Sequence, residues 1–149
     1  MQLSRRAVLG GTLAAGLAVP AGIALWNRYG PLPDAARLDA PAAHRMALAG
    51  TVMLIDIRRP DEWAATGTGE GAHRLDMRRG DFTEALAALM RGDRTAPLAL
   101  ICARGVRSAR LAARLEAAGL RAVADVAEGM LGSGAGPGWI ARGLPVVRG

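Results

Sequence analysis

The chain of 149 residues accommodates one ordinary domain plus an appendage and excludes two catalytic domains side by side. A hydrophobic content of 51% excludes global disorder, although alanine, glycine and an apolar N-terminus supply much of it. All nineteen basic residues are arginine; set against 13 acids they give a net charge of +6, scattered along a chain with only three tryptophans, one tyrosine and one phenylalanine, a pattern that favours small anions over nucleic acid.

The first thirty residues, "MQLSRRAVLGGTLAAGLAVPAGIALWNRYG", set a paired arginine before an uncharged run from Ala7 to Trp26. Ser4, Arg5, Arg6, Val8 and Leu9 resemble a twin-arginine export signal. Residues 1–30 are therefore expected to be an export signal, processed near Ala21, or an N-terminal membrane anchor, because the run is also about long enough to span a bilayer. Either outcome leaves the remaining chain periplasmic, or anchored to the cytoplasmic membrane with its domain outside. Pro31 and Pro33 mark a linker over 31–35, and the folded domain is expected over 36–149.

Ala43, Met46, Ala47 and Ala49 suit a short helix opened by Pro41 and closed by Gly50. "TVMLIDI" is a continuous apolar run, the mark of a strand buried on both faces. "PDEWAAT" reads as a helix with Pro60 at its start, ending at Gly67, and "DFTEALAALMR" as a second helix with Asp81 in the capping position. "PLALIC" is the next buried strand, ending at Cys102, followed by an amphipathic helix from Ser108 to Gly119 and a third strand in "AVADV". "GMLGSGAGPGW" is too rich in glycine for regular structure and reads as a loop; no lysine follows it, so it is no phosphate-binding P-loop. Strands alternating with helices predict an α/β domain with a central parallel sheet flanked by helices on both faces.

Cys102 is the chain's only cysteine, so no intramolecular disulfide can form, and the two histidines lack any zinc-ligand spacing; no metal or other cofactor is expected. Ligands of open parallel sheets bind beyond the carboxyl ends of strands, where loops lead into helix N-termini. Cys102 stands at such a junction, ahead of Arg104, Gly105, Arg107 and Ser108. Free amides at the helix start and two guanidinium groups favour a thiolate there. Gly105 lets the loop turn tightly with its amides inward.

"CARGVRS" followed by "ARLAARLEAAG" resembles the active-site loop and following helix of the rhodanese family of sulfurtransferases. "LIDIRRPDEWAATG" is similar to that family's first segment at Asp56, Arg58, Glu62, Trp63 and Gly67, and "EGAH" stands where a Pro-Gly-Ala turn is usual. "EGMLG", Trp139 and "GLPV" resemble its closing segment, with Met130 where a second glycine is common. The resemblance implies a Cys102 nucleophile that takes sulfur from a small anionic donor such as thiosulfate and passes it to a thiol or cyanide. It implies a cradle formed by Ala103, Arg104, Gly105, Val106 and Arg107, with Arg104 and Arg107 binding the donor and stabilising the departing sulfite. Asp56, Arg58 and Ser108 would support the loops, and His73 would be a turn residue rather than a base. Cysteine phosphatases place one residue more between cysteine and arginine than the four found here, and the tighter ring favours a sulfur atom over a phosphoryl group. A rhodanese-like module that binds anions or persulfides, or docks on another protein without turnover, is the other class. The glycine-rich loop 132–138 could cover the pocket, contact a partner or be a plain flexible loop, and any protein acceptor is unidentified.

Overall fold

The structure, a computed structural model, describes residues 36–149; the expected signal or anchor over 1–30 and the linker over 31–35 lie outside the described residues. Five strands, β1 (Ala36–Leu38), β2 (Met53–Asp56), β4 (Ala72–Arg74), β5 (Leu98–Ile101) and β6 (Val123–Val126), form a sheet in the order β1-β6-β5-β2-β4. All its pairings are parallel. A separate antiparallel pair joins β3 (Thr68–Gly69) to β7 (Val146–Val147).

The central strands β2 and β5 come from the two apolar runs, and their alternating side chains feed two cores. Leu54, Ala99, Ile101, Ala124 and Val126 face one way, onto Ala40, Ala43 and Met46 of α1 (Ala40–Leu48) and Trp139 of α5 (Gly138–Ala141). Ile55, Leu98, Leu100 and Val123 face the other way, onto Phe82 and Leu86 of α3 (Phe82–Leu89) and Leu111 and Ala112 of α4 (Val106–Ala117). Helices therefore cover both faces of the parallel sheet, as the strand and helix alternation predicts.

Four local features differ from the sequence reading. The edge strands β1 and β4 have no apolar run to announce them; they carry Arg37, His73 and Arg74, as half-solvated edges can. His73 thus lies in β4, not in a turn, with its side chain exposed. Asp81 makes no side-chain cap on α3, because its carboxylate is taken by Arg79 at 2.6 and 2.8 Å. The helix after Cys102 opens at Val106, with Gly105 as its N-cap, two residues earlier than Ser108.

The fourth difference is the glycine-rich segment, which carries a Ser133–Gly136 bridge and ends in the first residues of α5. Its glycines allow close approaches: a Cβ on Gly136 would lie 2.6 Å from the Glu128 carboxylate, and one on Gly132 would lie 2.6 Å from the Pro137 carbonyl oxygen. That carboxylate is buried, accepts a bond from the Gly138 amide at 2.9 Å, and pairs with both Nε and Nη2 of Arg142. The segment is wrapped around an ion pair.

Candidate active site at the Cys102 loop

The loop begins where β5 ends and closes where α4 begins. Its carbonyls are fastened on one side: the Met130 amide donates to the Cys102 carbonyl at 2.9 Å, and the Leu131 amide to the Ala103 carbonyl at 2.8 Å. Gly105 (φ 78°) and Gly129 (φ 66°) permit this packing. A Cβ on Gly129 would lie 2.5 Å from the Ala103 carbonyl oxygen, and one on Gly105 would collide with the carbonyl of Ala127. The Cys102 and Ala103 carbonyls are turned to the 127–131 segment, and the amides of residues 103–108 have no protein acceptor among the described residues. Such a row of free N–H groups at the start of a helix is an anion cradle.

Cys102 immediately precedes this row of amides, is 1% exposed, and packs into the core beneath α4. The Ser108 hydroxyl is 3.3 Å from its sulfur and 3.2 Å from the Gly105 carbonyl oxygen. Ser108 therefore reaches the sulfur itself, not only the loop around it. The sulfur is thus packed in the core and at the same time within reach of a hydroxyl donor.

The two loop arginines are placed differently from each other. Arg107 is gripped by Glu62 of α2 (Pro60–Thr66) through Nη2–Oε1 at 2.6 Å and Nη1–Oε2 at 2.9 Å. Both arginines were expected to bind the donor; of the two, Arg107 already has a carboxylate partner, which offsets part of its charge. The bond from Arg107, helped by the amide and charge of Arg59 and opposed by burial, holds the Glu62 carboxyl down at about 2. Arg104 is exposed, and its one bond is to the Gly132 carbonyl at 3.3 Å. It lines an open cavity of about 440 Å³ with Arg37, Gly105, Val106 and Ser133.

Asp56 and Arg58 form an ion pair at 0% and 1% side-chain exposure, and their side-chain hydrogen bonds go to each other and to α2 and the residue after it. Arg58 donates to Asp56 Oδ2 at 2.7 Å, to Thr66 Oγ1 at 2.8 Å and to the Gly67 carbonyl at 2.6 Å. The pair ties the end of β2 to the end of α2, the helix that carries Glu62. The neighbouring Ile57 amide donates to the Ile101 carbonyl, one residue before Cys102. A chain of contacts thus runs from Asp56 through Arg58 and α2 to Glu62 and Arg107.

Sequence reasoning assigned no role to Glu62, Asp125 or Glu128. Glu62 was visible as the third residue of a helix beside a loop that needed a counter-charge. Asp125 had no signal of its own, since it stands in an apolar strand, and Glu128 was visible only as the first residue of "EGMLG", with no hint of its pairing to Arg142. Among the described residues no group of three or more His, Cys, Asp or Glu is placed to hold a metal ion.

Residues 39–133 match the family described as Rhodanese-like domain. Of solved structures, thiosulfate sulfurtransferase from Pseudomonas aeruginosa superposes with a TM-score of 0.60 at 21% identity, covering 87% of this chain and 22% of that one. The polysulfide-sulfur transferase homodimer from Wolinella succinogenes gives 0.56 at 24% identity, covering 78% of this chain and 80% of that one. Rv0390 from M. tuberculosis gives 0.57 at 24% identity, with 77% and 98% covered. This chain thus spans less than a quarter of the Pseudomonas protein and most of the other two. No curated protein sequence matches. The match over more than half of the chain, on a sheet and loop of the kind just described, makes this chain a member of the rhodanese-like domain family.

Proposed function

We propose that the protein is a sulfurtransferase that carries sulfane sulfur on Cys102. The observation that carries the reading is the pairing of a lone thiol with a loop whose amides have no other acceptor, beyond the carboxyl end of a central parallel strand. Two fold neighbours are named for sulfur transfer, one from thiosulfate and one from polysulfide.

The Cys102 thiolate attacks the outer sulfur of a donor such as thiosulfate. A Cys–S bond forms, the donor's S–S bond breaks, and sulfite leaves with the electron pair. The outer sulfur of the persulfide carries negative charge and lies among the amides of Ala103 to Arg107, while Ser108 donates to the inner sulfur. A thiolate or cyanide acceptor then attacks the outer sulfur, and the Cys102 thiolate departs unchanged. Arg104 supplies the exposed positive charge that draws in the donor, and Arg107, held by Glu62, shapes the wall of the loop. No bound cofactor enters these steps.

A second reading, a module that binds anions or persulfides or docks on a partner without turnover, is favoured by the 1% exposure of Cys102 and by the exposed apolar side chains of Val106 and Leu131 beside the loop. Release of sulfite from thiosulfate in the presence of cyanide separates the two: turnover supports the enzyme, and its absence with an intact fold supports the module. The Arg5-Arg6 pair and the uncharged run after it lead us to place the domain outside the cytoplasmic membrane, released or anchored through residues 7–26. N-terminal sequencing of the exported protein tests this, with a start near Ala21 for the released form and an intact Met1 for the anchored one.

A further inference from the structure

The arginines of the domain differ in what they meet. Arg58, Arg59, Arg78, Arg79, Arg107 and Arg142 each hold a carboxylate oxygen at 2.6 or 2.7 Å. Arg37 and Arg104 hold none at hydrogen-bond distance: Arg37 Nε stands 4.0 Å from Asp125, with its side chain 69% exposed, and Arg104 meets the Gly132 carbonyl. Both line the open cavity of about 440 Å³ beside the cysteine loop, and no acidic side chain lines it with them. Because β6 lies between β1 and β5, Arg37 and Arg104 flank the end of β6 at Ala127, rising from segments two strand spacings, or roughly 10 Å, apart.

Thiosulfate is a compact dianion that the loop amides can surround without this space. The cavity has the liquid volume of about fifteen waters, and it falls within the roughly 300–1,000 Å³ of small-molecule sites. Gly105 and Val106 belong both to its wall and to the cradle, so a ligand lying in it borders the reacting sulfur. The remaining wall is small: Ala109, Ala127, Gly134 and Ala135 leave the two guanidiniums as its only charged groups. Asp125, the cross-strand partner of Arg37 and 4% exposed, attracts the Nε end of that side chain and leaves its Nη atoms to a ligand.

We infer that this cavity holds the sulfur acceptor, a small thiol bearing carboxylates, and that Arg37 is the residue that selects it. The inference rests on the reading of Cys102 as a persulfide carrier. One carboxylate of the acceptor meets the guanidinium fork of Arg37, and a second reaches Arg104 once sulfite has left. The thiol then lies beside Gly105 and Val106. It gives its proton to solvent, and its thiolate bonds to the outer sulfur. The bond from that sulfur to Cys102 breaks, its electron pair stays with the Cys102 thiolate, and the acceptor departs as a persulfide. An uncharged thiol has no anchor in the cavity, and cyanide is too small to use one.

The test loads the full chain with thiosulfate and times the loss of one sulfur atom by intact mass. The acceptors are mercaptosuccinate, which carries two carboxylates, and 1-thioglycerol, which is of similar size and uncharged. Arg37→Gln should slow discharge by mercaptosuccinate about three- to fivefold, the effect of one exposed ion pair. Discharge by 1-thioglycerol and the Michaelis constant for thiosulfate should stay unchanged. Equal slowing with both thiols would make Arg37 a structural residue, and an unchanged rate with mercaptosuccinate would remove it from the site; either overturns the inference. Binding is read without turnover by adding succinate to the unloaded chain, which should shift the Gly134 amide signal in NMR spectra of the wild type and much less in Arg37→Gln. An unmoved signal overturns the inference even where sulfur transfer proceeds. A shifted signal in a chain that never takes up sulfur leaves the carboxylate site standing and fells the proposed function.

Discussion

Glu62 and Arg107 meet in two parallel hydrogen bonds across the gap between α2 and α4, so the second arginine of the cysteine loop is fixed before any donor arrives. A planar guanidinium held at both nitrogens by a carboxylate loses its rotational freedom and much of its free charge. It serves the loop as a strut.

Glu62→Gln keeps the size and removes the charge, and it should cost about 1–2 kcal/mol of stability in urea unfolding at neutral pH. The pH dependence has a definite sign. The folded protein holds the Glu62 carboxyl at about 2, below its ordinary 4.5, so its stabilisation is fully present above 4.5 and is lost as pH falls through about 2. The gap between wild type and variant should close over that range. A gap that stays constant down to pH 2 would contradict the assignment.

The buried Asp56–Arg58 pair makes a sharper demand. Asp56→Ala leaves a guanidinium at 1% exposure without its carboxylate and should destabilise the fold by about 3–5 kcal/mol. Chemical denaturation of the purified variant measures this. A loss below about 1 kcal/mol would show that water or another acceptor replaces Asp56 at little cost.

Much of this arrangement was legible in the sequence because it rests on local signals. The apolar runs around Leu54 and Leu100 announced the central strands, and Cys102 with Arg104, Gly105 and Arg107 announced the loop. The remainder depends on pairings across long stretches of chain. β1 is a strand because Ala36 to Leu38 lie beside Ala124 to Val126, and the glycines around Gly136 are needed because Glu128 and Arg142 meet beneath them. Composition suggested a loop there, since glycine that makes room for a buried carboxylate looks the same in sequence as glycine that confers freedom. The grip of Glu62 on Arg107 was hidden for the same reason: the partners are 45 residues apart.

Gly105→Ala tests the cradle directly. Its φ of 78° disfavours a side chain, and the added Cβ would strike the Ala127 carbonyl. The variant should fold with a lowered midpoint and lose sulfur transfer by at least about tenfold, as expected when loop amides are displaced from a developing anion. Unchanged turnover would show that these amides do not line the reacting sulfur.

Arg104 and Arg107 should separate kinetically. Arg104→Ala removes an exposed charge with a single weak bond, so it should raise the Michaelis constant for an anionic donor several-fold, about the effect of one exposed ion pair, while leaving stability within about 0.5 kcal/mol. Steady-state kinetics with thiosulfate, paired with thermal unfolding, reads both. An unchanged Michaelis constant would remove Arg104 from donor binding.

Intact mass after exposure to thiosulfate shows whether Cys102 carries sulfur as proposed. The full chain should gain the mass of one sulfur atom, lose it on addition of cyanide, and gain nothing as Cys102→Ser. A folded wild-type protein whose mass never rises, or a Cys102→Ser variant that still takes up sulfur, would contradict the account.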